Sequence, residues 1–198
     1  MRQYSDVKAA PNKAREIIPA GGYVAKVNAA VVETTDYGDR LIIYFDVIEG
    51  DYRGFFQKDY SEQNREDKKW RGIYRMYLPK DDGSEKDSWS KRTLGNVIWS
   101  FEASNNGYHW DWNESVLKDK LIGVLFRNKE WEYNGQTGWT TECCAVTDIE
   151  SIRANKYRTP KDKPLSNKTP AGFTDLSNEE DKDPVSYTHL RAHETAAN

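Results

Sequence analysis

Residues 51–80 interleave cations with aromatic rings. Eight Lys or Arg (Arg53, Lys58, Arg65, Lys68, Lys69, Arg71, Arg75 and Lys80) stand against five acids, a net of +3, with Tyr52, Phe55, Phe56, Tyr60, Trp70, Tyr74 and Tyr77 set among them. Cations can track the phosphates of a nucleic-acid strand and rings can stack on its unpaired bases. This is a sequence-tolerant chemistry in which each stacked base contributes about 1 to 3 kcal/mol. Arg53, Phe56, Lys58, Tyr60, Lys68, Lys69, Trp70, Arg71 and Tyr74 are the binding residues expected from this stretch, joined by Tyr44 from the strand before it. A second group, Arg127, Lys129, Trp131 and Trp139, flanks Asn134-Gly135 and repeats the pattern of cation and ring. The opposing reading is that single aromatic residues of this kind usually belong to a core and surface charges are usually only solvated. It applies more readily to any one ring than to the whole set.

Other chemistry has little to stand on. His109, between Tyr108 and Trp110, is the one His outside residues 185–195, and it reads as a packing residue rather than a base. Cys143 and Cys144 are adjacent, which rules out an ordinary disulfide between them and leaves too few thiols for a zinc site, so two buried reduced thiols are expected. Glu66-Asp67-Lys68 could imitate a metal nuclease site but falls in a polar loop. No phosphate-cradling Gly-rich loop or nucleophile motif occurs. The expectation is a non-enzymatic protein without metal or cofactor.

The elements that must position these residues are organised around residues 40–50, RLIIYFDVIEG. Leu41, Ile43, Phe45 and Val47 alternate onto one face, suited to a core. Arg40, Ile42, Tyr44, Asp46 and Ile48 take the other, a mixed surface of the kind that could receive a ligand. Before it, Tyr23, Ala25, Val27, Ala29 and Val31 alternate in the same way, and Asp36-Tyr37-Gly38-Asp39 makes the pair a hairpin. Residues 55–60 read as a third strand, residues 61–78 fit neither period cleanly, and residues 79–89 read as a loop. Leu94, Val97, Ile98 and Phe101 form an apolar stripe at helical spacing over 91–104, with Ser90 as the expected cap. Asp111-Trp112-Asn113-Glu114 resembles a capping box. Residues 121–133 and 138–147 then make a second hairpin. Three strands, a helix and two strands is the order of an OB-fold, a five-stranded antiparallel barrel. The alternative is an open α+β sheet.

A chain of 198 residues can bury one substantial core, so residues 20–157 are assigned to one domain, preceded by an arm over 1–19 that docks through Ile17 and Ile18. Mean hydropathy is low at -0.92, and the Pro-rich then acidic residues 158–183 are expected to be an unpacked tail. Over 175–183 five acids and one Lys give -4 against a whole-chain net of -3, which leaves +1 for everything else. No apolar run approaches the ~20 residues of a membrane span and no signal segment follows Met1, so a cytoplasmic protein is expected. Residues 185–195, VSYTHLRAHET, resemble a translated transposase sequencing adapter. On that reading residues 184–198 are an artefact, His189 and His193 carry no chemical weight, and the natural C-terminus lies beyond about residue 184.

The succession PAGGYVAKV, YFDVIEGDYRGFFQ, NNGYHWDWNE, KLIGVLFRNKEWEYNGQTGW and AVTDIESIRANKYRTPKDK resembles small proteins encoded in phage and prophage replication modules of Gram-positive bacteria. The resemblance covers residues 19–164. It implies an architecture similar to OB-fold single-stranded DNA-binding proteins, acting in replication or recombination in the cytoplasm of a bacterial host. No functional residue carries over from it. Single-stranded DNA is the expected partner, with phage or host replication proteins as further partners of the acidic tail. The contrasting expectation is an adaptor that binds such proteins and has no affinity for nucleic acid. Deleting residues from Asp175 onward should leave the fold intact and strengthen DNA binding at low salt, because it removes -4 from a chain otherwise near neutrality. Titrating a labelled oligonucleotide at low and high salt checks this, the two affinities converging as salt rises.

Overall fold

The structure is a computed structural model, and it describes residues 15–165. The arm residues before 15, the acidic segment 175–183 and residues 184–198 lie outside the described residues. The chain runs β1 (Gly21–Thr35), β2 (Gly38–Val47), α1 (Phe55–Glu62), β3 (Ile73–Tyr77), α2 (Glu85–Ser104), a 3-10 turn (Glu114–Leu117), β4 (Leu121–Tyr133), β5 (Gln136–Thr147) and α3 (Ile149–Arg153). The strands form one five-stranded sheet in the order β3-β2-β1-β4-β5, every neighbouring pair antiparallel.

The protein is thus mainly β, and the sheet is not closed into a barrel. β3 and β5 are its edges, and no ladder joins them, although their Cα atoms come within 8 Å. Part of the gap is taken by the N-terminal segment, where buried Ile18 joins the core and its carbonyl accepts a hydrogen bond of 2.7 Å from the Thr141 hydroxyl of β5.

The inward face of β2 is as its alternation requires, with Leu41, Ile43, Phe45 and Val47 all buried. The other face is not the open surface expected, since Ile42 is only 3% exposed. Asp46 is also committed, because its carboxylate accepts the backbone N–H groups of Val47, Phe56 and Gln57 at 2.9, 3.0 and 3.1 Å. Burial pushes that carboxyl above its usual range while the three N–H groups pull it back.

β1 follows its expected phase only as far as Val27. The pairing passes from Val27↔Phe45 to Ala29↔Tyr44, so Asn28 is the extra residue of a bulge, and beyond it Ala30 rather than Ala29 is buried. The bulge falls where β1 finishes pairing with β4, at Lys26↔Leu121, and continues along β2 alone.

Residues 55–60 are the start of α1, not a third strand. Gly54 is left-handed at φ 72, and Asp46 supplies acceptors for the first free N–H groups of the helix, which places Phe55 and Phe56 in the core. The third strand is β3, where Tyr74 and Met76 point inward and Arg75 and Tyr77 outward, a period of two. α2 starts at Glu85, earlier than its apolar stripe suggested, because Ser84 rather than Ser90 caps it and accepts from the Asp87 N–H at 3.1 Å. Val97 and Phe101 carry its packing. Of the expected tail, residues 162–165 lie along β4, with Lys163 bridging Lys129 in parallel, and the residues from 166 on lie outside the described ones. Among the described residues no helix is long and apolar enough to cross a membrane.

Two glycine substitutions should move stability in opposite directions. A Cβ on Gly72 would sit 2.2 Å from the Phe45 carbonyl oxygen and 2.6 Å from the Phe56 ring, so Gly72→Ala should cost at least ~2 kcal/mol. Gly95, in mid-α2, has nothing within 4 Å, so Gly95→Ala should gain ~0.5 to 1 kcal/mol. Denaturant unfolding of both variants reads the two signs.

Candidate nucleic-acid interface

The gap between β3 and β5 opens as a groove of about 750 Å3. Its walls are the free edges of the two strands, Ile73 and Arg75 on one side and residues 140–144 on the other. Arg15, Ile17, Ile18, Arg65 and residues 69–71 complete it over a floor of Phe55, Phe56 and Phe126. Phe56 stacks on Phe126 at 6.0 Å between ring centroids. Seven cations line the groove, Arg15, Arg65, Lys69, Arg71, Arg75, Arg127 and Lys129, against the single carboxylate of Glu142.

These cations fall into two groups by what holds them. Asp59, one turn into α1 and nearly buried, takes Arg71 at 2.9 Å and Arg15 at 3.2 Å. Glu142 takes Arg127 at 2.9 Å and Lys129 at 2.8 Å. Burial raises the Glu142 carboxyl, but the hydrogen bonds from Lys129 and Arg127 outweigh it and hold the group below the usual carboxylate range. Arg65 and Lys69 lean only on exposed Asp67, at 3.5 and 3.7 Å. Arg75 is exposed and has no ion-pair partner among the described residues. The first group braces the walls, and the second is free to turn toward an incoming anion.

Of the residues expected to bind, Phe56, Lys69, Trp70, Arg71, Arg127 and Lys129 meet in this groove. The structure corrects the role of several. Phe56 and Tyr74 are buried and serve the core, and burial pushes the Tyr74 phenol well above its ordinary value. Trp70 is half-buried, its indole N–H directed at the carbonyls of Phe45 and Gly72 at 3.0 and 3.2 Å, with Tyr60 tilted against its ring. It is a packed residue at the groove wall rather than a free stacking platform.

Lys58 pairs with Glu16, Lys68 bonds the Ser61 carbonyl beside the Tyr60 ring, Arg53 lies in the turn before α1, and Tyr44 stays on β2. None of these four reaches the groove. Trp131 and Trp139 project from the β4–β5 hairpin beyond the groove, both exposed. Trp131 lies on the face that carries Arg127 and Lys129, its indole over Gly138 of the opposite strand.

Sequence reasoning did not single out Arg15, Arg65 or Arg75. The inward-outward alternation of β3 would have placed Arg75, but Arg15 meets Asp59 across 44 residues with no local signal. His109 does not pack, since its ring is 89% exposed and pairs with Glu102 at 2.7 Å. Cys143 and Cys144 are half-buried rather than buried, at the β5 wall.

No protein-family model matches the chain, and no curated protein is significantly similar to it.

Trp70→Ala should therefore destabilise the fold by about 3 kcal/mol, the low end for a buried Trp. Arg75→Ala, which breaks no ion pair, should change stability by less than ~0.5 kcal/mol. Chemical denaturation of the pair distinguishes a wall residue from a surface cation.

Proposed function

We propose that this chain is a non-enzymatic single-stranded DNA-binding protein built on an OB-type, partly open barrel. The observation that carries the reading is the groove between the β3 and β5 edges, with its seven cations and one carboxylate. The strand order β3-β2-β1-β4-β5, the helix between β3 and β4, and two edges facing each other across one groove support the OB-type architecture. The hairpin that such folds use to flank a ligand here carries exposed Trp131 and Trp139, rings on which unpaired bases can stack. The resemblance to phage replication-module proteins agrees with this reading and suggests replication or recombination in a bacterial cytoplasm as its setting.

Residues that hold the walls together are poor phosphate ligands, because releasing them leaves Asp59 or Glu142 uncompensated. Arg65, Lys69 and Arg75 are the better ones. Fluorescence anisotropy with labelled oligo-dT tests the proposal. The protein should bind, its Trp emission should be quenched by single strands much more than by duplex of equal length, and the Arg65→Ala/Lys69→Ala/Arg75→Ala variant should flatten the slope of log affinity against log salt by about 2. Its melting temperature should hardly change, since exposed charges contribute ~0 to 1 kcal/mol each. Equal quenching by duplex, or no binding at low salt, overturns the proposal.

A protein-binding adaptor is the second reading. It is favoured by Trp89, Trp99 and Trp112, three large rings exposed outside the groove lining. It predicts no affinity for the oligonucleotide.

A further inference from the structure

We infer that the outer face of the β4–β5 hairpin, completed by the segment 161–165, is a phosphate-binding platform onto which a single strand longer than the groove continues. This rests on the single-strand reading above and extends its site to residues that reading does not use.

The segment is fixed to β4 by its backbone. The Lys163 N–H donates to the Asn128 carbonyl at 2.8 Å, and the Glu130 N–H donates to the Lys163 carbonyl at 2.9 Å. Beyond it the Leu165 N–H donates to Glu130 Oε2 at 3.1 Å. This bridge sets Lys163 directly beside Lys129. The faces follow from one side-chain bond: Asn128 Nδ2 donates to Asp162 Oδ1 at 2.9 Å, so these two residues share a side of the ribbon. Alternation then places Lys161 and Lys163 on the opposite side, with Arg127 and Lys129.

Lys161 and Lys163 therefore share a face with Arg127 and Lys129, whose charges Glu142 already compensates. Lys161 and Lys163 are exposed and have no ion-pair partner among the described residues. Like charges held side by side in a ladder are unfavourable. Backbone bonds hold Lys163, which lacks such a carboxylate, in that position, and a polyanion would neutralise it. Arg127 and Lys129 also line the groove, so the platform is continuous with it. Farther along the same face Trp131, 40% exposed, has its indole beside Gly138 and offers a ring on which a base could stack.

The test compares dT oligomers of about 6 and about 25 nucleotides, the first within the span of one such fold and the second longer than it. The Lys161→Ala/Lys163→Ala variant should bind the short oligomer as the parent does. On the long oligomer it should bind about tenfold more weakly at low salt, with a salt slope flatter by about 1.4. An unchanged slope on the long oligomer overturns the platform while leaving the groove reading in place. Equal loss on the short oligomer would put these lysines inside the groove's own site and overturn the extension. A parent that binds neither oligomer overturns the single-strand reading and this inference with it. Binding of polyglutamate in their stead would assign the face to an acidic peptide, with the same consequence.

Discussion

The Asp46 carboxylate accepts the N–H groups of Phe56 and Gln57, and the chain leaving β2 must therefore turn into α1. Much of the groove follows from that turn. The helix start sends Phe55 and Phe56 inward, and Phe56 stacks on Phe126 of β4, which ties the two halves of the sheet across the gap. Its next residues bring Asp59 to the point where Arg15 and Arg71 converge. Gly72 must pass close to the Phe45 carbonyl for β3 to join β2 at all, and the Phe45 N–H bonds the Gly72 carbonyl at 2.9 Å. A carboxylate with three backbone donors and a glycine with no room for a methyl group thus fix the geometry of one wall.

The second constraint is electrostatic. Seven cations cannot be gathered on one groove without cost, and the fold offsets it with carboxylates that each serve two of them, Asp59 on the α1 side and Glu142 on the β5 side. These pairs are partly desolvated, so their partners are held in place, and the walls keep their shape in the absence of a ligand. The remaining cations are exposed and lightly held. A groove of this construction is rigid where ion pairs brace it and adaptable at its exposed cations. That suits sequence-tolerant binding better than readout of particular bases.

What could be read from the chain divides along the same lines. The alternation of Leu41, Ile43, Phe45 and Val47 was legible because one face of β2 is core along its whole length. β1 was legible to Val27 and then lost, since a one-residue bulge at Asn28 inverts every later position and has no composition signature. Phe55-Phe56-Gln57-Lys58-Asp59-Tyr60 has the aromatic content of a strand, and its helical state is imposed by an acceptor ten residues upstream. The basic and aromatic character of residues 51–80 was visible, but not which members face the groove. Lys58 and Lys68 are drawn away by Glu16 and the Ser61 carbonyl, while Arg75 reaches the groove through the register of β3 on β2. Propensity and pattern see the neighbours of a residue along the chain, whereas this site is assembled from contacts 12 and 44 residues apart.

A chain of net charge -3 is not an obvious ligand for a polyanion, yet net charge is the wrong quantity on which to judge it. At physiological salt the field of an exposed charge decays within about 8 Å, so a phosphate in the groove responds to the groups around it and little to acids farther off. The groups around it are the seven lining cations, set against Glu142 in the lining and Asp59 and Asp67 paired behind it. Cross-strand placement achieves this concentration. Arg127 and Lys129 lie two apart on β4, and the bridge to Lys163 sets another cation beside them. The local excess of cations, not the net charge, sets the field that an anion in the groove would meet.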